Sequence, residues 1–408
     1  MSDTTATGAT AGATFKPPRK LMAICAALAV VGLALFAVSL MGTPWRAWSN
    51  ALLASYFYTS IALGAAVLIA LMGVTKAGWG VVIRRIPEAM TGYLPIGMVT
   101  MLAVALFGMH DLYEWSHPNI VSHDHLLQHK APLLNVTGFL VRLVVIFTLW
   151  IALTWAMRRQ SVLQDSDGDE RHTHNNVKLS AIFLIVFALS LTVATLDWLM
   201  SLEPHWFSTI FGVYHFAGLF TAAIAVIILF VVCMQRAGYL AEVNANHLHD
   251  LGKLLFAFCT FWAYIWVSQY LLIWYANIPE ETGYYMVRQD HGWQSLWVLN
   301  LALRWVVPFL VLLPRPNKRN PKVLALVAVI VLIGHWLDTY LQIMPATAHF
   351  AVAHAGAEVH GPFFGLAEIG IFVALGAIFV IAVLKMLGRA SLVPTKDPYL
   401  EESMHHHQ

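Results

Sequence analysis

Ile210-Phe-Gly-Val-Tyr-His-Phe-Ala-Gly-Leu-Phe-Thr-Ala-Ala-Ile-Ala-Val-Ile-Ile-Leu-Phe-Val-Val-Cys-Met-Gln-Arg236 is a stretch with no acidic residue and a single basic residue at its end. A helix needs about 20 mostly apolar residues to cross the roughly 30 Å of hydrocarbon in a bilayer. This stretch therefore predicts a transmembrane helix.

Nine other stretches meet the same criterion. The chain has 408 residues, of which 59% are hydrophobic and 11% charged, whereas about a quarter of the residues in soluble domains are charged. The apolar run after residues 1–20 is too long for a signal peptide, so we expect it to be retained as the first span. We predict an all-α polytopic membrane protein with ten spans, at 21–41, 51–74, 89–109, 133–158, 178–201, 210–236, 249–275, 293–314, 321–344 and 361–387.

The basic residues alternate between the two sides of this arrangement. Lys and Arg concentrate in the cytoplasmic segments of membrane proteins. With the N-terminus inside, the outer loops hold only Arg46, Lys130 and Arg288. Apart from basic residues at their cytoplasmic ends, the spans hold only Arg142 and Arg304. We therefore predict that both ends are cytoplasmic, with 1–20 and 391–408 as terminal segments. The net charge of only +2 gives no reason to expect a nucleic-acid partner.

No motif for a covalent cofactor is present. Cys25, Cys233 and Cys259 lie in separate apolar stretches, without a haem-attachment or iron–sulfur spacing. We predict no metal site, and any redox group would belong to a partner or be a diffusible quinone. Bound phospholipid is also expected. The histidine-rich outer loops 110–132 and 345–360 are predicted to form a docking surface for partner subunits.

Ionisable residues inside the predicted spans are the candidates for function, because such groups are costly in a bilayer. Six of the seven candidates named below fall in the outer halves of their spans, and Arg304 lies near the midplane; Asp250 and Lys253 lie at the cytoplasmic end of the seventh span. The inner halves are almost bare, which favours a cavity or half-channel that opens outward. The candidates for proton transfer or a quinone site are Asp197, His215, His335, Asp338, Glu368, Arg142 and Arg304.

His335 and Asp338 are three residues apart and share a helix face. There the carboxylate would orient the imidazole, and the two would form an acceptor pair for a quinol that releases two protons. The alternative is a hydrogen-bonded clasp between helices with no chemistry.

A second candidate group lies where the fifth span turns into the sixth. The short segment 202–209 should fold Asp197 and Trp198 back beside Tyr214 and His215, where they would line one outward pocket. The alternative is that these residues anchor the helix ends at the membrane interface.

The two arginines inside spans must each find a counter-charge, a carbonyl group or water. Asp197, Asp338 and Glu368 are the available acids. A structural ion pair and the tuning of a nearby acid are both open for Arg142 and for Arg304, and sequence does not assign the partners.

Three runs carry a resemblance to a known family. They are Leu196-Asp-Trp-Leu-Met-Ser-Leu-Glu-Pro-His-Trp-Phe-Ser-Thr209, Trp262-Ala-Tyr-Ile-Trp-Val-Ser-Gln-Tyr-Leu-Leu-Ile-Trp-Tyr-Ala-Asn-Ile-Pro-Glu-Glu-Thr282 and His335-Trp-Leu-Asp-Thr-Tyr340. They resemble the quinol-oxidoreductase membrane subunits of bacterial alternative complex III, of the polysulfide-reductase-like (NrfD-like) family and its smaller ActF type. The resemblance covers about 20–390.

The resemblance implies two four-helix bundles, 51–201 and 210–344, with peripheral helices 21–41 and 361–387. It also implies a complex in the bacterial inner membrane that oxidises menaquinol or ubiquinol. The implied partners are an NrfD-like sister subunit, iron–sulfur and haem c subunits, and small membrane subunits. In this family the sister subunit is the better candidate for quinol oxidation, so the catalytic role of this chain stays open.

Two other functions compete with a subunit of a redox complex. A proton-coupled transporter should show a midplane site on helices broken by Gly or Pro in both halves, and the sequence shows no convincing pair of broken spans. A purely structural scaffold would use its buried polar residues only for packing.

Overall fold

The structure, a computed structural model, describes residues 15–290, 292–356 and 361–407. Every element of secondary structure in these ranges is a helix. Ten helices are long and apolar enough to cross a membrane, which confirms an all-α multi-pass membrane protein. The first to tenth spans are Arg19–Gly42, Pro44–Thr75, Arg85–Phe107, Val136–Asp167, Arg171–Leu202, Phe211–Arg236, Ala245–Ala276, Trp293–Leu312, Pro321–His354 and Leu366–Leu387. Residues 1–14 of the N-terminal segment, His360 of the outer loop 345–360, and Gln408 lie outside the described residues.

Several spans continue as helices beyond their apolar stretches. The fourth span was expected to end at 158 but runs to Asp167, where Gly168 stops it with a φ of 74°. This left-handed conformation costs glycine least, which makes glycine a common residue after a helix end. The helix of the ninth span continues past 344 to Ala355, and Gly356 follows it with a φ of 62°. Hydrophobicity marks the part of a helix inside the membrane, whereas capping decides where the helix ends.

The second and sixth spans form the centre of the molecule and are buried along most of their length. They approach most closely at Gly64, where a Cβ atom would lie 2.5 Å from the carbonyl oxygen of Leu219 and 2.7 Å from the Cβ of Ala223. Small residues of this kind let transmembrane helices bring their backbones into contact. The site described below is built around this helix pair.

The first span packs along the tenth. A Cβ atom at Gly32 would lie 2.3 Å from the carbonyl oxygen of Gly370, so these two helices also meet backbone to backbone. The tenth span in turn contacts the second, for example through the Tyr58 hydroxyl, which donates to the carbonyl of Phe372 at 3.0 Å. The division into bundles 51–201 and 210–344 remains a prediction.

The segments predicted to be cytoplasmic meet at one end of the bundle, here called the basic end. Phe15 packs on Tyr239 with ring centroids 5.4 Å apart, and Arg84 forms an ion pair with Asp397 of the C-terminal tail. The basic end consists of 76–84, 168–170, 237–244, 313–320 and 388–407.

The predicted outer loops meet at the opposite end, here called the histidine-rich end. Lys130 Nζ donates to the carbonyl of Pro204 at 2.5 Å, and Arg288 pairs with Glu203 at 2.6 Å. The histidine-rich end consists of 108–135, 203–210 and 277–290. The structure therefore groups the loops in the same two sets as the charge pattern.

Replacing Gly64 by Ala should destabilise the protein by about 1–3 kcal/mol, because the added methyl group forces the second and sixth spans apart. Gly42→Ala is the matched control, since a Cβ atom there meets nothing within 4 Å. Thermal unfolding of the two variants in detergent would measure the difference. Equal melting temperatures would contradict the close packing at Gly64.

Candidate functional site

The eighth span is distorted about midway along its length. The distorted turn carries Arg304, which is fully buried in the middle of the bundle. Residues Ala302–Val306 form this turn, which is π-helical. Pro308 explains the distortion, because proline has no N–H to donate to the carbonyl four residues earlier, which is that of Arg304. Such π-turns occur frequently at functional sites.

The Arg304 side chain crosses to the ninth span at a glycine. A Cβ atom at Gly334 would lie 2.7 Å from Arg304 Cγ, so any larger residue would block this path. The guanidinium group then lies over the ring of Trp262, 4.4 Å from its centroid. Cation–π contacts of this kind stabilise a desolvated cation.

Arg304 contacts both predicted partners on the ninth span. Its NH1 donates to His335 Nδ1 at 2.6 Å and lies 3.6 Å from Asp338 Oδ2. The expectation that the Asp338 carboxylate orients the imidazole is therefore wrong: both side chains face Arg304, and the guanidinium is what holds the ring. His335 and Asp338 share a helix face, as predicted. The residue that contacts both of them, however, is Arg304 of the eighth span.

The hydrogen bonds of His335 define it as neutral. Its Nδ1 accepts from Arg304, so the ring hydrogen is on Nε2, which lies 3.2 Å from Ser60 Oγ. The Ser60 hydroxyl donates to the carbonyl of Phe57 at 2.7 Å and leaves a lone pair for the imidazole. In this arrangement His335 has no free nitrogen to accept a proton.

Asp338 joins three spans. Its Oδ1 accepts from the Tyr214 hydroxyl of the sixth span and from Asn300 Nδ2 of the eighth span, the latter at 2.9 Å. The carboxylate is buried, and its negative charge is balanced by Arg304. A buried charge needs such a partner and such hydrogen bonds to be tolerated.

A small polar cavity adjoins Asp338 on the side of the histidine-rich end. Its volume of about 20 Å³ is enough for roughly one ordered water molecule. Within the described residues, one acceptor on its wall, Asn300 Oδ1, has no hydrogen-bond partner. Arg288, which pairs with Glu203 near the surface, also lines the cavity. The cavity thus lies between Asp338 and the outer loop that carries Arg288.

The other predicted residues fall into separate groups. Asp197 forms a two-point ion pair with Arg142, at 2.6 and 3.0 Å, whereas His215 Nδ1 lies 2.6 Å from the hydroxyl of Tyr56. Tyr214, the neighbour of His215, turns to Asp338. Asp197, Tyr214 and His215 were expected to line one pocket. The structure instead places them in three separate hydrogen-bonded groups.

Glu368 lies at the start of the tenth span and is paired with Arg46. The two contacts are 2.6 and 2.7 Å, and Asn50 adds a third donor at 3.2 Å. Sequence analysis placed Arg46 in an outer loop and gave it no partner. The pair joins the tenth span to the beginning of the second span.

Sequence analysis missed the neutral members of the site and one charged cluster. Tyr56 and Ser60 are four residues apart on the second span, and this shared helix face was the only local signal for them. In the third span next to the basic end, Arg85 pairs with Glu88 at 2.6 Å and with Asp165 of the fourth span, and both Arg85 and Glu88 are buried. The prediction of almost bare inner halves therefore needs correction, because the third span begins at Arg85 rather than 89.

The predicted docking loop 110–132 is held by contacts with the loop 203–210. Asp124 caps the helix His125–Lys130 and accepts from His205 Nε2 at 2.6 Å. The backbone N–H of Leu127 and the imidazole of His205 together hold the pKa of Asp124 below its ordinary value. No group of three or more His, Cys, Asp or Glu side chains in the described part of the chain is placed to hold a metal ion.

Comparison with protein-family models and with curated proteins finds no match to this chain. Functional inference therefore depends on the buried cluster around Arg304 and Asp338 and on the resemblance of the three sequence runs. The cluster combines a π-turn, an ion pair and a polar cavity in one place. This combination is what a functional proposal has to explain.

Proposed function

We propose that this protein is an integral membrane subunit of a respiratory quinol:electron-acceptor oxidoreductase of the alternative complex III type, in the bacterial inner membrane. Its own contribution is to conduct protons, to bind a quinone, or both, on the periplasmic side, at the histidine-rich end, and to anchor partner subunits. Menaquinol or ubiquinol is the substrate of the complex. Iron–sulfur and haem c subunits, an NrfD-like sister subunit and small membrane subunits are its partners.

The observation that carries this proposal is the buried ion pair of Arg304 and Asp338 beside the polar cavity. Ionisable groups inside a bilayer are costly, and they mark proton and substrate pathways. Asp338 is the member of the cluster that can take up a proton, since Arg304 keeps its charge and both nitrogens of His335 are in use. The proton route leads from Asp338 through the cavity to Arg288 and Glu203.

The broken eighth span also bears on the transporter alternative. A transporter of the repeat type has two interrupted helices that face one site. Here the third span is interrupted at Thr91–Tyr93, near the basic end, and the eighth at Ala302–Val306, about midway along the span. Because the two interruptions lie at different depths, they favour a redox subunit over a self-contained transporter.

The proposal is tested by purifying the tagged chain from its native membrane in mild detergent. We expect iron–sulfur and haem c proteins to co-purify and the preparation to reduce an electron acceptor with quinol. Membranes from a strain that lacks the chain should lose most of this activity and regain it when the full chain is restored. Purification without redox partners, together with unchanged quinol oxidation in the deletion strain, would refute the proposal.

A further inference from the structure

A groove on the membrane-facing side of the bundle lies near the basic end, between the third, fourth and tenth spans. Its volume is about 290 Å³, far larger than that of the cavity beside Asp338. Its wall is largely apolar and carries two arginines of the fourth span, with Leu163 about one helical turn closer to the basic end. The apolar and weakly polar wall includes Thr91, Pro95, Ile151, Trp155, Leu163 and Met386.

The two arginines, Arg158 and Arg159, form no ion pair with a carboxylate among the described residues, although the charge of Glu88 attracts Arg158. Arg158 donates through NH2 to the carbonyl of Met386 at 3.0 Å, and its buried Nε has no hydrogen-bond partner within the described residues. Arg159 is exposed, with its guanidinium 5.3 Å from the ring centroid of Trp155. The nearby carboxylate of Glu88 is paired with Arg85. The groove therefore offers a positive site to an anion.

The position of these groups along the fourth span matches the layers of a bilayer. Ile151 lies two helical turns deeper than Arg158, a distance of about 10 Å along the helix. Trp155 is 61% exposed, in the way that tryptophan is at the boundary between headgroups and hydrocarbon. An anion at Arg158 and Arg159 would therefore be followed by an apolar chain along Ile151 and Pro95.

We propose that this groove is a binding site for an anionic phospholipid, with its phosphate on Arg158 and Arg159 and an acyl chain along the apolar wall. Basic pockets between transmembrane helices on the cytoplasmic side bind the headgroups of acidic lipids. The acyl groove separates this ligand from free phosphate, which shares only the charged contacts. The site is independent of the cluster at Asp338 and of the proposed function.

The test compares the full chain with the double variant Arg158→Gln/Arg159→Gln. Both proteins are purified in detergent, and phosphatidylglycerol and cardiolipin binding is measured by native mass spectrometry, with phosphatidylcholine as the neutral lipid. We expect the unchanged protein to prefer the anionic lipids, and the double variant to bind them at least about tenfold more weakly. Millimolar inorganic phosphate should not displace the lipid.

The matched control is Arg19→Gln/Lys20→Gln, which removes two adjacent exposed charges at the basic end of the first span. It should keep the anionic lipid. Equal lipid binding by the two double variants would overturn the proposal, and so would equal affinity for anionic and neutral lipid. If inorganic phosphate displaced the lipid, the two arginines would be a site for a free anion and not for a lipid. If position 155 cross-linked to a transmembrane helix of a partner, the groove would be a protein interface and not a lipid site.

Discussion

Replacing Asp338 by Asn is expected to lower quinol-dependent turnover of the complex by about 100-fold, in the range lost when a positioned proton acceptor is removed. Asn has nearly the same shape as Asp, and its amide oxygen still accepts from Tyr214 and Asn300. It cannot take up a proton at neutral pH. Turnover and proton release should be measured in liposomes on the assembled complex.

Charge balance complicates this substitution and is addressed by a second variant. Asp338→Asn leaves the Arg304 cation without its carboxylate, although the contacts with His335 and Trp262 remain. In Arg304→Gln/Asp338→Asn both charges are removed together. We expect this variant to assemble and to stay inactive. If either assembled variant turned over and released protons at the normal rate, the ion pair would be a structural clasp and the scaffold function would be favoured.

Replacing Arg304 alone by Gln should destabilise the protein by about 3–5 kcal/mol, because it leaves the buried Asp338 carboxylate uncompensated. It also removes the donor to His335 Nδ1 and the cation over Trp262. The expected result is a large loss of folded protein, measured by thermal unfolding and by size-exclusion chromatography in detergent. Arg171→Gln is the control, because its pair with Asp169 is exposed and its loss should have no measurable effect.

The same double variant makes this stability prediction specific. Removing both members of a buried ion pair is often nearly neutral, whereas removing one is not. Arg304→Gln/Asp338→Asn should therefore recover at least half of the stability that Arg304→Gln loses. Additive losses in the two single variants and the double variant would mean that the two side chains are not coupled.

The candidate residues on the ninth span show that the sequence predicts a shared helix face but not the contacts of the side chains on it. The spacing of His335 and Asp338 gave their common helix face, but the interaction between them is made by Arg304, 31 residues from His335. Likewise, Arg46 and Glu368 are 322 residues apart in the chain. Nothing local in the sequence pairs these side chains, because helix rotation and helix neighbours are set by the packing of the whole bundle.

The sequence by itself determined that the chain crosses a membrane ten times and which loops share an end, because apolar length and loop charge are local properties of the chain. It also identified four of the buried charged residues, Asp197, Arg304, Asp338 and Glu368. Only the tertiary structure decided the partners of those charges, the π-turn that buries Arg304, and the neutral side chains Tyr214, Asn300 and Ser60 that complete the site. These depend on backbone contacts such as those at Gly64 and Gly334, where the steric fit of distant segments fixes how each helix is placed and rotated.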